Sequence, residues 1–456
     1  MAMGKRGERQ ESLFVAVDRL LPSTGHPFYQ KLNALLAEYE FDRWVEQRCV
    51  PYYQQEEKRG QPSIPPGVYV RMMLVGYFEG IDSQRGIAWR CADSLSLRQF
   101  LGIPLDENTP VHATLTNTRK RLPKEVFDEV FDFVLQIAAD KQLLTGQTVG
   151  VDSTMLEANA AMKSIVRKDT GEDWSEYVTR LMREDGVIDA TTEPTIEEVR
   201  RFDKKRRDKT VSNAAWESTT DPAARIARMK DGRTHMAYKA ENVVDLDSDL
   251  IIAAEIYSAD RGDTETLTDS VIAADVHLEE AGVTEPVQEV AADKGYHSIE
   301  VLEECVALDK RTYIPEPRRP HPTKLSDKTD EQQQALRNNR RRVKRPKSKQ
   351  LQRRRSEVVE RTFAHVCDSG GARRSWLKGL LDVGKRYLLS AAAHNLGRIL
   401  RQLFGIGKPK TLQGNGSLAG LAQIICAWWQ TVVTRWDQCC QQFQVARTNC
   451  DRLGIA

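Results

Sequence analysis

The sequence offers no disulfide framework, no zinc knuckle and no membrane anchor. Its eight cysteines (Cys49, Cys91, Cys305, Cys367, Cys426, Cys439, Cys440 and Cys450) form no C-x-x-C pair and follow no disulfide-like spacing. That argues for reduced thiols in a cytosolic compartment and against a zinc site. The opening residues, MAMGKRGERQESLF, lack the apolar core of a signal peptide. The longest apolar stretches, such as LAQIICAWW at 421–429, are too short to span a bilayer. An intracellular protein without a membrane partner is expected. No internal repeat is visible, and 40% hydrophobic with 29% charged residues in 456 excludes a disordered or fibrous chain. Two or three globular domains fit that length.

Net charge is small, +2, but strongly segregated. Residues 337–355, RNNRRRVKRPKSKQLQRRR, carry eleven Arg or Lys and no acid, and RRFDKKRRDK at 200–209 carries seven basic residues against two aspartates. Such blocks are solvated helix faces, or tails and surfaces that meet a polyanion. For the longer run phosphate contact is favoured, because eleven uncompensated charges need counter-ions and nucleic acid supplies them with a gain from counterion release.

The first 145 residues read as an all-helical domain. HPFYQKLNALLAEYEFDRWVEQRC and PKEVFDEVFDFVLQIAADKQLL repeat apolar residues every three or four positions, and PPGVYVRMMLVGYFEG is an apolar segment opened by prolines. SQRGIAWRCADSLSLRQFLGIP and TPVHATLTNTRKRLP read as shorter helices with Ser or Thr caps. From Gly146 the pattern changes. QTVGVDSTMLEAN is a strand, THMAYKAENVVDLDSDLIIAAEIYSA is two strands joined by DLDSD, and DTETLTDSVIAADVHLEEAG is a helix. EPVQEVAADKGYHS is a strand ending at Asp293, followed by the helix SIEVLEECVALD and the strand RTYIPEP. This order predicts a mixed α/β sheet covered by helices, interrupted by a charged helical insertion at 157–230. The second unit runs over 146–405 and includes the basic segment 337–355. A helical tail follows at 406–456.

Three acids stand out by position: Asp152 within the first strand, Asp293 at the end of the fourth, and Glu360 on a helix after the fifth. The first and fourth strands of such a sheet can lie side by side, which brings two carboxylates together, and a packing helix can add the third. Clustered carboxylates repel unless a cation lies between them, and hard oxygen ligands favour Mg²⁺ or Mn²⁺. A site of two such ions acting on a phosphodiester would follow. Glu357, three residues before Glu360, competes with it. Glu360 is preferred for its flanking Val359 and Phe363, whereas Glu357 follows the basic run and has Arg353, Arg354 and Arg361 as surface partners.

VGVDSTMLEAN, AADKGYHS and RRRSEVVERTFAHV resemble, in order, the three acidic blocks of insertion-sequence DDE transposases, whose catalytic core is RNase H-like. The stretch from IPPGVYVRMMLVGYFEG to NTRKRL resembles the helical N-terminal domain of many of them. The likeness runs over roughly residues 60–405 and implies that Asp152, Asp293 and Glu360 are the DDE triad, holding two Mg²⁺ or Mn²⁺ ions. It implies cleavage at terminal inverted repeats and joining of the ends to target DNA, by a homodimer or higher oligomer in the bacterial cytoplasm at the nucleoid. In this likeness Gly295 and Tyr296 belong to the D-x-G-Y form of the second block, and Tyr296 either meets DNA or packs under its loop.

One departure is visible. Relatives often carry an Arg four positions before the glutamate and a Lys seven after it, where this chain has Ser356 and Cys367. Phosphate-clamping duty then falls to Arg354, Arg355, Arg361, Arg373, Arg374 or Lys378, with Arg340, Arg341, Arg342 and Arg345 of the basic run as further DNA contacts. His297, His365 and His394 read as structural. Trp428, Trp429 and Trp436 read as core or subunit contacts rather than base-stacking platforms. A nuclease with the same core and a silent DNA-binding regulator are the alternatives to a transposase.

Overall fold

The computed structural model describes residues 26–53, 63–207, 211–229, 232–318 and 327–409. All but the first four residues of the expected tail, and the tryptophans at 428, 429 and 436, lie outside them.

Helices come first: α1 (Pro27–Glu38), α2 (Phe41–Cys49), α3 (Pro66–Glu79), α4 (Gln84–Asp93), α5 (Leu95–Leu101), α6 (His112–Arg121) and α7 (Lys124–Asp140). The expected serine caps are present. Ser83 Oγ accepts from Gly86 N at 3.1 Å to start α4, and Ser94 Oγ accepts from Leu97 N at 3.3 Å to start α5. α6 starts instead from Val111 without a side-chain cap. α3 is buried along almost its whole length, as its unbroken apolar sequence requires.

The sheet follows. Its elements are β1 (Thr148–Glu157), β2 (Ile165–Arg167), α8 (Trp174–Glu184), α9 (Ile196–Lys205), β3 (Trp216–Ser218), β4 (Arg225–Arg228), β5 (Thr234–Asp245), β6 (Ile251–Ser258), α10 (Asp263–Glu280), β7 (Glu289–Ala291), α11 (Ile299–Ala307) and β8 (Arg311–Tyr313). The main path is β4-β5-β1-β7-β8, with β6 also on β5. β1 runs antiparallel to β5 and parallel to β7, and β7 runs parallel to β8. The mixed α/β architecture expected from the element order is therefore present. Asp152 pairs across β1 with Asn242 of β5. The charged segment after β1 builds a small core of its own from Val178, Met182 and Val199, and its last strand, β4, joins the main sheet by pairing with the start of β5.

The chain closes with α12 (Asp330–Val343), α13 (Pro346–Phe363) and α14 (Leu380–Phe404). The basic run is thus not a tail: it forms the end of α12 and most of α13. Proline at the first turn of α13 is pre-set for a helix start and lacks only a donor that the helix leaves unused there. α13 lies on β1 at Gly150, where an added Cβ would come within 2.9 Å of Arg355 Cγ and 3.1 Å of Val359 Cγ2. α13 passes into a π-helical turn over Ala364–Ser369. α14 then packs on α7, α3 and β6, so one hydrophobic core runs from Phe28 in the first helix to Leu400 in the last.

Candidate nucleic-acid processing site

Parallel pairing of β1 with β7 brings Asp152 and Asp293 to the same end of the sheet. Asp152 stands on β1, and Asp293 lies two residues past β7, capping a short 3₁₀ turn by accepting from Gly295 N at 2.6 Å. Gly295 is needed there. A Cβ on it would lie 2.9 Å from oxygens of both Asp293 and Asp263.

Burial pushes the Asp152 carboxyl above its ordinary range; Arg355 opposes the rise and the negative charge of Asp293 adds to it. Arg355 Nη1 donates to Asp152 Oδ2 at 2.7 Å, and Ser153 N donates to Oδ1 at 2.8 Å. Glu360, on α13, is exposed and accepts from Ser356 Oγ at 3.4 Å. Glu357 is held by Arg361 at 2.5 Å.

A divalent cation finds no finished cage in this arrangement. Among the described residues no group of three or more His, Cys, Asp or Glu side chains converges closely enough to hold one. The cation beside Asp152 is the guanidinium of Arg355.

Beneath the two aspartates lies a buried polar network that the sequence reading missed. Lys239 is fully buried, with Nζ 2.7 Å from Asp263 Oδ1, 2.8 Å from Thr266 Oγ1 and 3.4 Å from Glu241 Oε2. Glu241, also buried, accepts from Tyr296 Oη at 2.9 Å and from Ser270 Oγ at 2.7 Å. Burial raises its carboxyl pKa, and Lys239 works against that rise. Asp263 in turn accepts from Ser153 Oγ at 3.1 Å. Tyr296 is therefore buried with its hydroxyl engaged, which leaves its ring no open face for a base. Of the two readings for Tyr296, the geometry favours packing under the loop. A Lys-x-Glu pair on one face of a strand was the available signal, since residues two apart share a face and a covered face cannot leave charges unpaired.

Most of the basic candidates turn inward. Arg340 pairs with Glu316 at 2.7 Å, Arg342 donates to the Thr312 carbonyl at 2.9 Å, and Arg354 pairs with Asp249 at 2.6 Å. Arg361 reaches both Glu357 and Asp249. Arg341 and Arg345 are exposed. Arg373 pairs with Asp368 and also donates to Thr154 Oγ1 at 3.0 Å.

Two family models match the chain. A transposase domain of the DUF772 type covers residues 15–121, and a transposase DDE domain covers residues 181–396. The chain belongs to the insertion-sequence DDE transposases. The second match contains Asp293 and Glu360 and begins after Asp152. Comparison with curated proteins and with solved structures gives no match. The sheet of this transposase, with three antiparallel strands β6, β5 and β1 continued by parallel β7 and β8, is its RNase H-like core. DNA is the substrate that membership implies, and no helix among the described residues is long and apolar enough to cross a membrane.

Proposed function

We propose that this transposase binds the terminal inverted repeats of its own element, cleaves the phosphodiester bonds there and joins the ends to target DNA, with Asp152, Asp293 and Glu360 as the acting carboxylates. The observation that carries the reading is the meeting of Asp152 and Asp293 at neighbouring parallel strands, close enough for the charge of one to raise the pKa of the other. Direct attack of a hydroxyl on phosphorus needs no covalent protein–DNA intermediate, so the chain's own contribution is positioning and charge. β1 fixes Asp152, and the turn anchored by Tyr296 on Glu241 fixes Asp293. A requirement for Mg²⁺ or Mn²⁺ goes with this reading. Holding such ions requires Arg355 to leave Asp152 and Glu360 to approach from its exposed position.

The test is incubation of the full chain with Mg²⁺ and DNA carrying the ends of its element, with sequencing of the products. Cut and joined ends are expected for the natural chain. Asp152→Asn, Asp293→Asn and Glu360→Gln should each stop cleavage, and Glu357→Gln should keep most of it. Ends cut but never joined would make the protein a nuclease, and binding without cutting would make it a regulator. Full cleavage by either asparagine variant would remove that aspartate from the site.

A further inference from the structure

The eleven cations of residues 337–355 fall into two sets. Six are used inside the molecule: Arg337 on Gln333, Arg340 on Glu316, Arg342 on Thr312, Lys347 on Glu289, Arg354 on Asp249 and Arg355 on Asp152. The other five, Arg341, Lys344, Arg345, Lys349 and Arg353, are exposed and make no side-chain hydrogen bond or ion pair among the described residues. Three of the five belong to α13 or cap its start.

At about 100° per residue, Lys349 and Arg353 lie about 20° to either side of Glu360 around the helix axis, with Arg345 about 60° away on the same side as Lys349. Ser348, Arg355, Val358, Val359 and Thr362, about 100–160° away, are buried, as is Phe363 in the last turn, about 60° away on the Lys349 side. The outward face of α13 is thus a row of unpaired cations leading to the glutamate. Lys349 and Arg353 are like charges one turn apart, an arrangement that weakens an isolated helix. The acid on its flank, Glu357, about 60° away on the Arg353 side, is taken by Arg361 at 2.5 Å and pairs with neither cation. A surface that keeps such repulsion in the free protein gains most from a regularly spaced anionic partner. From Lys349 to Glu360 the helix advances about 16 Å, the rise of about five base pairs of duplex at 3.4 Å each.

We propose that this face is a phosphate track for duplex DNA, formed by Arg345, Lys349 and Arg353, which leads the backbone to Glu360. The inference rests on the proposed DNA-cutting role and adds the surface along which the duplex lies. It also separates cations that bind DNA from neighbours in the same run that hold the fold.

The test is Lys349→Ala/Arg353→Ala in the full chain, with binding of a fluorescent duplex lacking terminal repeats followed by anisotropy over a range of KCl. Two lost phosphate contacts should flatten the slope of log affinity against log salt by about 1.8. The charge-keeping swap Lys349→Arg/Arg353→Lys should restore the natural slope. An unchanged slope in the alanine variant, with the natural chain binding steeply, overturns the track and leaves the proposed function standing. A natural chain that shows no salt-dependent binding to duplex overturns both.

Discussion

Asp152 and Arg355 are each other's main electrostatic partner, with side chains only 24% and 10% exposed. Removing one leaves the other buried and unpaired. Arg355→Met should therefore cost about 3 kcal/mol of stability, while Asp152→Asn/Arg355→Met should cost clearly less than the two single changes added together. Urea unfolding of the four proteins measures this, and strict additivity would show that the pair is not coupled. A second prediction concerns His365. Burial and the nearby cations Lys408, Arg398, Arg361 and Arg401 lower its pKa to about 4, and the buried ring of His394 lies 5.5 Å away. A histidine whose folded pKa lies below its unfolded value of about 6.5 is held neutral by folding. Its stabilising share is complete above pH 6.5 and declines as pH falls toward 4, because the unfolded chain then takes up the proton first. His365→Gln should flatten the melting-temperature profile between pH 6.5 and 4, and a profile as steep as the natural one would exclude His365 as its source. The two aspartates were legible in the sequence because each sits at a strand position that nothing but a site or a cap explains. Lys239, Glu241 and Asp263 were not. The Lys239-x-Glu241 alternation fits a solvent face as well as a covered one, and only α10, which carries Asp263 and lies over that face, shows the charges to be paired and dry.

Helix α13 approaches β1 closely at one glycine. At Gly150 an added Cβ would meet Leu246 at 2.8 Å, Arg355 at 2.9 Å and Val359 at 3.1 Å. Gly150→Ala should push the helix outward, cost about 1–3 kcal/mol and disturb the Arg355–Asp152 pair together with the position of Glu360. Thermal melting and the cleavage assay read the two effects, and a variant with natural stability and activity would show that the contact is slack. At this scale the order of strands and helices was readable from period and turn chemistry, since β1, β5, β6, α10, β7, α11 and β8 follow the expected sequence. The basic run resisted reading. Its acidic partners, Asp152, Asp249, Glu289 and Glu316, stand in distant segments, so local sequence could not tell the cations that bind inward from those left at the surface.

Across the whole molecule, α14 ties the two halves together. Its residues from Val383 to Leu400 are mostly buried, and it packs at once on α3 and α7 of the helical half and on β6 of the sheet. Asn395 fixes the contact with two hydrogen bonds to the backbone of Ile251, at 2.9 and 2.7 Å. Lys385, also buried, donates to the carbonyl of Leu122 at 2.8 Å. The described residues should therefore melt in one cooperative transition, and Leu396→Ala should lower that single transition by about 2–5 kcal/mol. Calorimetry showing two separate transitions would make the halves independent.

That same helix sets the order in which a ribosome can deliver a finished protein. The helical half emerges first but lacks the strip that covers α3 and α7 until residues 380–404 have been made. At roughly 5–20 residues per second, the interval is on the order of tens of seconds. During it, apolar side chains such as Tyr77 and Phe78, which meet His394 and Gly397 of α14, lack their final cover. A polypeptide that stops between β1 and α14 carries Asp152 yet lacks the helix that covers α3, α7 and β6, so its interior stays open.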